Sequence, residues 1–217
     1  MNFVSRRRFL AAGLAATSLR AAGPHPGFFL PNRGQFADGG SYCADLPRWR
    51  GVFAPGRAAF RAKRLVGDPG PLTAAVARPE TVSFELRLAG ASGREPIGED
   101  RRQGRSDFFF HGDPDTFVRD LPHFYRLRYP EVWPGVDLLI RVWERGAELT
   151  PIVKDPAELD RMAFRWLGGQ ATRGGSGDVA LSAPWGVVRQ SAPQTAQGNL
   201  RGAYRLDPAG LLRFVRA

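Results

Sequence analysis

The sequence predicts an all-β fold, either an antiparallel β-sandwich or another two-sheet, many-stranded domain, with one short helical turn. Short apolar segments recur at intervals of roughly ten residues, which is typical of the strands of a sandwich or barrel. The chain contains 26 glycines and 18 prolines among 217 residues, which would interrupt long helices but suit turns. Because 43% of the residues are hydrophobic, the chain can build a core, and global disorder is excluded.

Alternation of apolar and polar side chains is clearest in residues 82–88 and 136–142. In both segments every second residue is apolar, as expected for a strand with one buried face. A turn at 144–147 and a strand at 148–153 would complete a β-hairpin with the second segment. Further strands are predicted at residues 51–54, 58–65, 107–111, 124–129, 163–167, 178–181, 186–190, 202–206 and 211–215.

The helical turn is predicted directly after the hairpin. Asp155 can act as its N-cap, Pro156 suits the first helical position, and Glu158 stands where a capping box needs a carboxylate. The sequence therefore predicts one helical turn, ending near Arg161, between two strands.

A second turn is predicted at Pro134 and Gly135. Proline followed by glycine suits a type II turn, in which the glycine adopts a positive φ. Asp137 follows directly and could accept a hydrogen bond from a nearby backbone N–H. These residues are fully explained by a structural role.

The first 21 residues have the organisation of an export signal. Arg6, Arg7, Phe9 and Leu10 match the Ser/Thr-Arg-Arg-x-Phe-Leu pattern of a twin-arginine (Tat) signal. The uncharged run that follows is about 16 Å long as a helix, roughly half of what a bilayer requires. We therefore predict a signal peptide at 1–21 and a single β domain at 22–217, with a periplasmic or secreted location and no stable membrane span in the mature chain. The Tat translocase would be the partner during export.

The net charge of +10 does not favour nucleic-acid binding. Four arginines and no acidic residue lie in residues 1–21, which leaves +6 for the rest of the chain. Only Lys63 and Lys154 among the 31 basic residues are lysines, a bias that codon usage alone can produce. In the basic stretch 57–64, a strand would turn Ala58, Phe60 and Ala62 inward and Arg57, Arg61 and Lys63 to solvent. We therefore expect a solvated face rather than an anion-binding patch.

The sequence identifies no catalytic group and no cofactor site. His111, Asp113, Asp115, Asp120 and His123 offer metal-ligating atoms. Their spacing fits neither an EF-hand nor a two-His helical site, and residues 112–115 are typical of an Asx-type turn. We expect the lone Cys43 to be a small buried hydrophobic residue, since it has no disulfide partner in the chain.

The order of several short motifs resembles an uncharacterised all-β domain found at the N-terminus of secreted bacterial proteins, often ahead of β-propeller (SBBP) repeats. The resemblance spans residues 28–206 and rests on four boxes of the type Asn-x-Gly-Gln, Gly-x-Asp-Pro, Val-Pro-x-Tyr and Tyr-x-x-Val-Tyr-Pro-Gly-Ile-Asp-Leu. Their matches here are Asn32, Gly34 and Gln35, then Gly112, Asp113 and Pro114, then Pro122, and finally Tyr129, Pro134, Gly135 and Asp137.

The resemblance implies an all-β fold and supplies no catalytic residue. Members of that group continue into repeats, whereas this chain is expected to stand alone.

Three functions remain open. The first is a non-catalytic exported domain that binds a protein or the cell surface. The second is a carbohydrate- or small-ligand-binding module, and the third is a secreted hydrolase. A sugar-binding platform would need exposed, coplanar rings among Trp49, Trp133, Trp143, Trp166 and Trp185, although most of these are expected in the core.

Overall fold

The protein was analysed as a computed structural model. It describes residues 15–18, 26–37, 39–47, 49–62, 82–109, 114–144, 146–153, 155–175, 177–183, 186–191, 194–195 and 202–216. Within these ranges the chain forms 17 strands and two short 3₁₀ helices, and the strands pair antiparallel in three sheets. The predicted all-β, antiparallel class is confirmed.

Six strands make up the first sheet: β1 (Ala15–Ser18), β7 (Ile97–Phe108), β8 (Val118–Trp133), β9 (Val136–Trp143), β10 (Gly146–Val153) and β15 (Gln194–Thr195). Their order in the sheet is β15, β1, β10, β9, β8, β7. The predicted hairpin is confirmed, because β9 and β10 pair along their whole length. The second strand of this hairpin begins at Gly146, two residues earlier than expected.

The second sheet contains eight strands: β2 (Leu30–Pro31), β3 (Tyr42–Asp45), β4 (Trp49–Ala54), β5 (Arg57–Ala62), β6 (Val82–Leu88), β11 (Ala163–Leu167), β16 (Gly202–Leu206) and β17 (Leu211–Arg216). Its order is β16, β17, β11, β6, β5, β4, β3, β2. The third sheet has three strands: β12 (Gln170–Arg173), β13 (Val179–Ala183) and β14 (Gly186–Gln190).

The main core lies between the two large sheets. Phe53, Phe60 and Phe164 from the second sheet belong to the same buried cluster as Leu138 and Ile140 from the first. Burial of apolar area on this scale is the main contribution to folding, at about 25 cal/mol per Å². The two large sheets therefore pack face to face, as in a sandwich.

The predicted helical turn is a 3₁₀ helix at Pro156–Arg161. Asp155 Oδ1 accepts a hydrogen bond from the N–H of Ala157 at 2.9 Å, and Glu158 Oε2 accepts one from the N–H of Asp155 at 3.4 Å. This is the capping box that the sequence indicated. The first 3₁₀ helix in chain order, Pro114–Thr116, was not predicted.

Several details differ from the sequence predictions. β3, β12 and most of β7 were missed, and β8 begins six residues before the predicted 124–129 segment. The prediction that Ala62 faces inward is wrong, since its side chain is exposed at the end of β5. Lys63 lies outside the described residues, as do Arg6, Arg7, Phe9 and Leu10 of the predicted export signal.

Part of the predicted signal is described. Residues 15–18 form β1, in which Thr17 pairs with Leu149 of β10 and Ala15 pairs with Thr195 of β15. In the described ranges no helix combines the length and the apolar character needed to cross a bilayer.

Candidate functional site

The Asn-x-Gly-Gln motif forms a loop that its own side chains close. Asn32 Oδ1 accepts hydrogen bonds from the N–H groups of Gly34 at 3.1 Å and Phe36 at 3.2 Å, and Asn32 Nδ2 donates to the Phe36 carbonyl at 3.0 Å. Gln35 Oε1 accepts from the N–H of Arg33 at 2.6 Å. Gly34 has a φ of 102°, which L side chains rarely adopt. The motif is therefore a pre-shaped loop between β2 and β3.

An open cleft of about 680 Å³ lies between this loop, the first 3₁₀ helix and the beginning of β8. The volume is within the range of ligand sites in proteins. Two arginines and one acidic residue contribute charge, so the lining is positive by one. The side chains relevant to recognition are Arg33, Gln35, Asp115, Thr116, Phe117 and Arg119. We call this the Arg33–Arg119 cleft.

An arginine and two phenylalanines form a cluster beside the cleft. The ring of Phe109 meets that of Phe117 edge-on, with centroids 5.0 Å apart. The Arg119 guanidinium lies over both rings, 5.6 Å from the Phe109 centroid and 5.5 Å from the Phe117 centroid. Phe109 is nevertheless 60% exposed. These contacts hold an aromatic ring and a cation in place at the surface.

The cleft stands on a separate buried cluster, the second core cluster. It consists of Leu30, Phe36, Cys43, Val52 and Leu121, and Val118 packs against it while also lining the cleft. Cys43 is buried here, as predicted. Val118 therefore connects the lining of the cleft to this buried cluster.

The structure separates the candidate metal ligands into different environments. Asp115 is exposed on the first 3₁₀ helix. His123 stacks on Phe28, with ring centroids 3.8 Å apart. His111, Gly112 and Asp113 lie outside the described residues. Asp120 forms an ion pair with Arg105 at 2.8 Å. Among the residues with a described position, no group of three or more His, Cys, Asp or Glu side chains could hold a metal ion.

One pair resembles the nucleophile and base of a hydrolase. Ser106 Oγ lies 2.8 Å from Nε2 of His123, and burial lowers the pKa of this histidine. In the part of the chain that the structure describes, no carboxylate contacts its other ring nitrogen, and neither residue lines the Arg33–Arg119 cleft. A triad needs an orienting group and a place for substrate. The pair links β7 to β8, and the described residues place neither an orienting carboxylate nor the Arg33–Arg119 cleft beside it.

The last family motif has the structural role that the sequence predicted. Pro134 and Gly135 form the turn between β8 and β9, with a φ of 77° at the glycine. Asp137 Oδ1 accepts a hydrogen bond from the N–H of Glu131 at 2.6 Å. Tyr129 is buried and donates its hydroxyl to the Arg57 carbonyl at 3.1 Å, and burial raises its pKa.

Pro122 and Pro114 of the other motifs lie in two different elements. Pro122 is half-buried in β8, where it pairs with Arg105 of β7. Pro114 begins the first 3₁₀ helix and is exposed, next to Asp115 of the cleft lining.

The basic stretch follows the predicted alternation from Arg57 to Arg61 and departs from it at the exposed Ala62. Ala58 and Phe60 are buried, and Arg57 and Arg61 point away from the core. Arg57 pairs with Glu85 at 3.6 Å. An ion pair of this kind on a partly exposed sheet face contributes little to stability.

The tryptophans do not form an exposed platform in the described ranges. Trp49, Trp133 and Trp166 are buried, and each indole N–H donates to an internal acceptor. Trp143 is half-buried, and Trp185 lies outside the described residues. The expectation that most tryptophans belong to the core is confirmed for these three.

Sequence reasoning missed Arg33, Phe109, Phe117 and Arg119 as candidate site residues. A signal was present, because Phe109 and Phe117 flank a Gly-Asp-Pro turn instead of alternating within a strand. Aromatic side chains that a turn places at the surface have no core to enter.

The fold and the cleft define an antiparallel all-β domain with an arginine- and phenylalanine-lined surface site. The chain belongs to the DUF7948 family, a domain of unknown function, whose family model matches residues 29–214. That match includes both the cleft and the β8–β9 turn. No curated protein and no solved structure matches the chain.

Proposed function

We propose that this protein is an exported, non-catalytic β domain that binds another protein through Phe109, Phe117 and Arg119. The observation that carries this proposal is the exposure of Phe109, which is 60% accessible although Phe117 and Arg119 hold its ring in place. Aromatic residues and arginine are enriched among the residues that dominate protein–protein binding. A ring that is already positioned loses little conformational entropy on binding.

The surroundings of the ring support the same role. Val118, next to Phe117, packs on the second core cluster, and the Asn-x-Gly-Gln loop is closed by internal hydrogen bonds. A rigid platform under an exposed anchor is the arrangement of pre-organised interfaces.

A pull-down with the full chain as bait tests the binding role. The bait is incubated with periplasmic and culture-supernatant proteins, and the captured proteins are quantified by mass spectrometry. Phe109→Ser should reduce capture of a specific partner at least about fivefold, as expected for a hot-spot residue. Ile97→Ser is the matched control, because Ile97 is 45% exposed on β7 and does not line the cleft. Equal capture by both variants would contradict the proposal.

Export by the Tat route belongs to the same proposal, with a periplasmic or secreted destination. It is supported by the match of residues 5–10 to the twin-arginine pattern. Replacing Arg6 and Arg7 by lysine should retain a fused reporter in the cytoplasm. Arg8→Lys, at the variable position of the pattern, should leave export unchanged. Normal export of the double variant would refute the Tat assignment.

A further inference from the structure

The Arg33–Arg119 cleft carries two cations that the protein itself does not neutralise. Arg33 belongs to the Asn-x-Gly-Gln loop and Arg119 to the beginning of β8. Within the described part of the chain, neither guanidinium has an ion pair or a hydrogen bond, and Arg119 contacts only two aromatic rings. Other arginines are paired, such as Arg50 with Asp45 at 3.0 Å. Asp115 also lines the cleft, but it already has another interaction.

The guanidinium of Arg119 is held in position before any ligand arrives, and Arg33 projects from a loop whose backbone is fixed. The backbone N–H of Arg33 donates to Gln35 Oε1, which fixes the loop from which the side chain projects. The guanidinium of Arg119 is held over Phe109 and Phe117. A guanidinium stacked on rings keeps its N–H groups free, and these N–H groups form a planar fork that matches a carboxylate. The cleft therefore offers one guanidinium that is already oriented for an anion and a second one that projects from a fixed backbone.

We infer that the cleft binds an acidic peptide segment in which an apolar residue lies beside one or more carboxylates. A single carboxylate would fill only a small part of about 680 Å³. The rings next to Arg119 provide apolar surface at the same place, so the cleft combines both kinds of contact. Acidic residues would pair with Arg33 and Arg119, and the apolar residue would pack against Phe109. The inference deepens the proposed function and rests on it, because it specifies the chemistry of the protein partner.

Fluorescence anisotropy with the full chain tests this directly. The probe is a fluorescein-labelled peptide, Gly-Glu-Glu-Phe-Glu-Glu-Gly, and the comparison peptide replaces every Glu by Gln. The acidic peptide should bind saturably and about tenfold more tightly than its neutral counterpart, since charge-assisted hydrogen bonds are lost in the latter. Arg33→Gln and Arg119→Gln should each weaken binding of the acidic peptide about tenfold.

Arg141→Gln is the matched control, because Arg141 is exposed on β9 and does not line the cleft. It removes the same charge and should change the affinity less than about twofold, as expected for a distant, screened charge. A loss equal to that of Arg119→Gln would show general electrostatic attraction and overturn the inference. Thermal unfolding of all three variants, followed by circular dichroism, should show that they fold.

Three further outcomes would also overturn the inference. Equal affinity for the neutral peptide would mean that the cleft recognises only apolar groups. Displacement of the acidic peptide by inorganic phosphate, or by a glucuronic acid oligosaccharide, at lower concentrations than by unlabelled peptide would assign the cleft to another anion. A protein partner captured equally well by Arg33→Gln would place the partner elsewhere. In contrast, peptide binding without any Phe109-dependent partner would contradict the proposed function and leave the cleft chemistry intact.

Discussion

The carboxylate of Asp137 accepts a hydrogen bond from the backbone N–H of Glu131 at 2.6 Å, and Glu131 has a left-handed backbone with a φ of 42°. The register between β8 and β9 shifts here, between Tyr129 and Trp133, because β8 contains extra residues. A bulge leaves a backbone N–H without a partner in the ladder. Asp137, on the neighbouring strand, supplies that partner.

The same arrangement occurs between β8 and β7, its neighbour on the other side. Asp107 Oδ1, in β7, accepts a hydrogen bond from the N–H of Asp120 at 2.7 Å, and Asp120 has a φ of 60°. In a regular strand, Val118 and Leu121 would lie on opposite faces. The bulge instead places both on the second core cluster and leaves Arg119 exposed. An aspartate on β7 therefore determines which side chain of β8 reaches the cleft.

Removing the first of these contacts should destabilise the fold. We expect Asp137→Ala to lower the free energy of unfolding by about 1–3 kcal/mol, as for a hydrogen bond to a charged acceptor. Asp137→Asn should cost less, because the amide oxygen can still accept from Glu131. Urea denaturation followed by circular dichroism measures both. Equal losses in the two variants would assign the effect to the ion pair with Arg128, at 3.4 Å, instead.

Removing the second contact should affect binding. Asp107→Ala should weaken the acidic-peptide affinity of the cleft by about threefold or more, because the bulge that positions Arg119 loses its support. Asp137→Ala is the comparison, since its bulge lies at the other end of β8. The same anisotropy titration measures both variants. If the two weaken binding equally, the effect comes from overall loss of stability and not from the position of Arg119.

Glycine should be tolerated at one left-handed position and required at another. Glu131→Gly should leave stability unchanged or raise it by up to about 1 kcal/mol, since a non-glycine residue is strained there and its exposed pair with Arg94 contributes little. Gly135→Ala should destabilise by about 1–2 kcal/mol, because its φ of 77° strains a residue with a Cβ. The new Cβ would also displace the Glu158 carboxylate, which forms part of the capping box. Thermal unfolding measures the stability of both variants. Wild-type stability in Gly135→Ala would show that this position does not need a glycine.

Periodicity predicts the fold where a strand has one buried face. β6 and β9 were predicted almost to the residue because their apolar side chains alternate. Most of β7 was missed because none of its residues is buried, so apolar and polar side chains do not alternate along it. Side chains of β8 pack directly on the glycines of β7. A Cβ on Gly98 would lie 2.6 Å from the ring of Phe124, and a Cβ on Gly104 would lie 2.5 Å from the ring of His123. These are tertiary contacts, which local sequence does not encode.

Less of the candidate site than of the fold could be predicted from the sequence. The Asn-x-Gly-Gln motif was recognised as a unit, but its closure by Asn32 gives no indication of the cleft beside it. Arg119 contacts Phe109 next to Asp120, whose left-handed conformation interrupts the regular alternation of side chains along β8. Aspartate adopts this conformation more readily than most residues, yet the sequence alone does not say at which aspartate the strand bulges.

The β7–β8 hairpin should lose stability as the pH falls. His123 stacks on Phe28 and bonds Ser106, and burial lowers its pKa from the ordinary 6.5. The unfolded chain therefore binds this proton more readily than the folded chain. The stability contribution is complete above pH 6.5 and is lost as the pH falls below it towards the lowered value. Between about pH 7 and pH 5, wild type should lose more unfolding free energy than His123→Gln, whose amide keeps a hydrogen bond to Ser106 without titrating. Equal losses in urea denaturation at the two pH values would show that His123 does not titrate in this window.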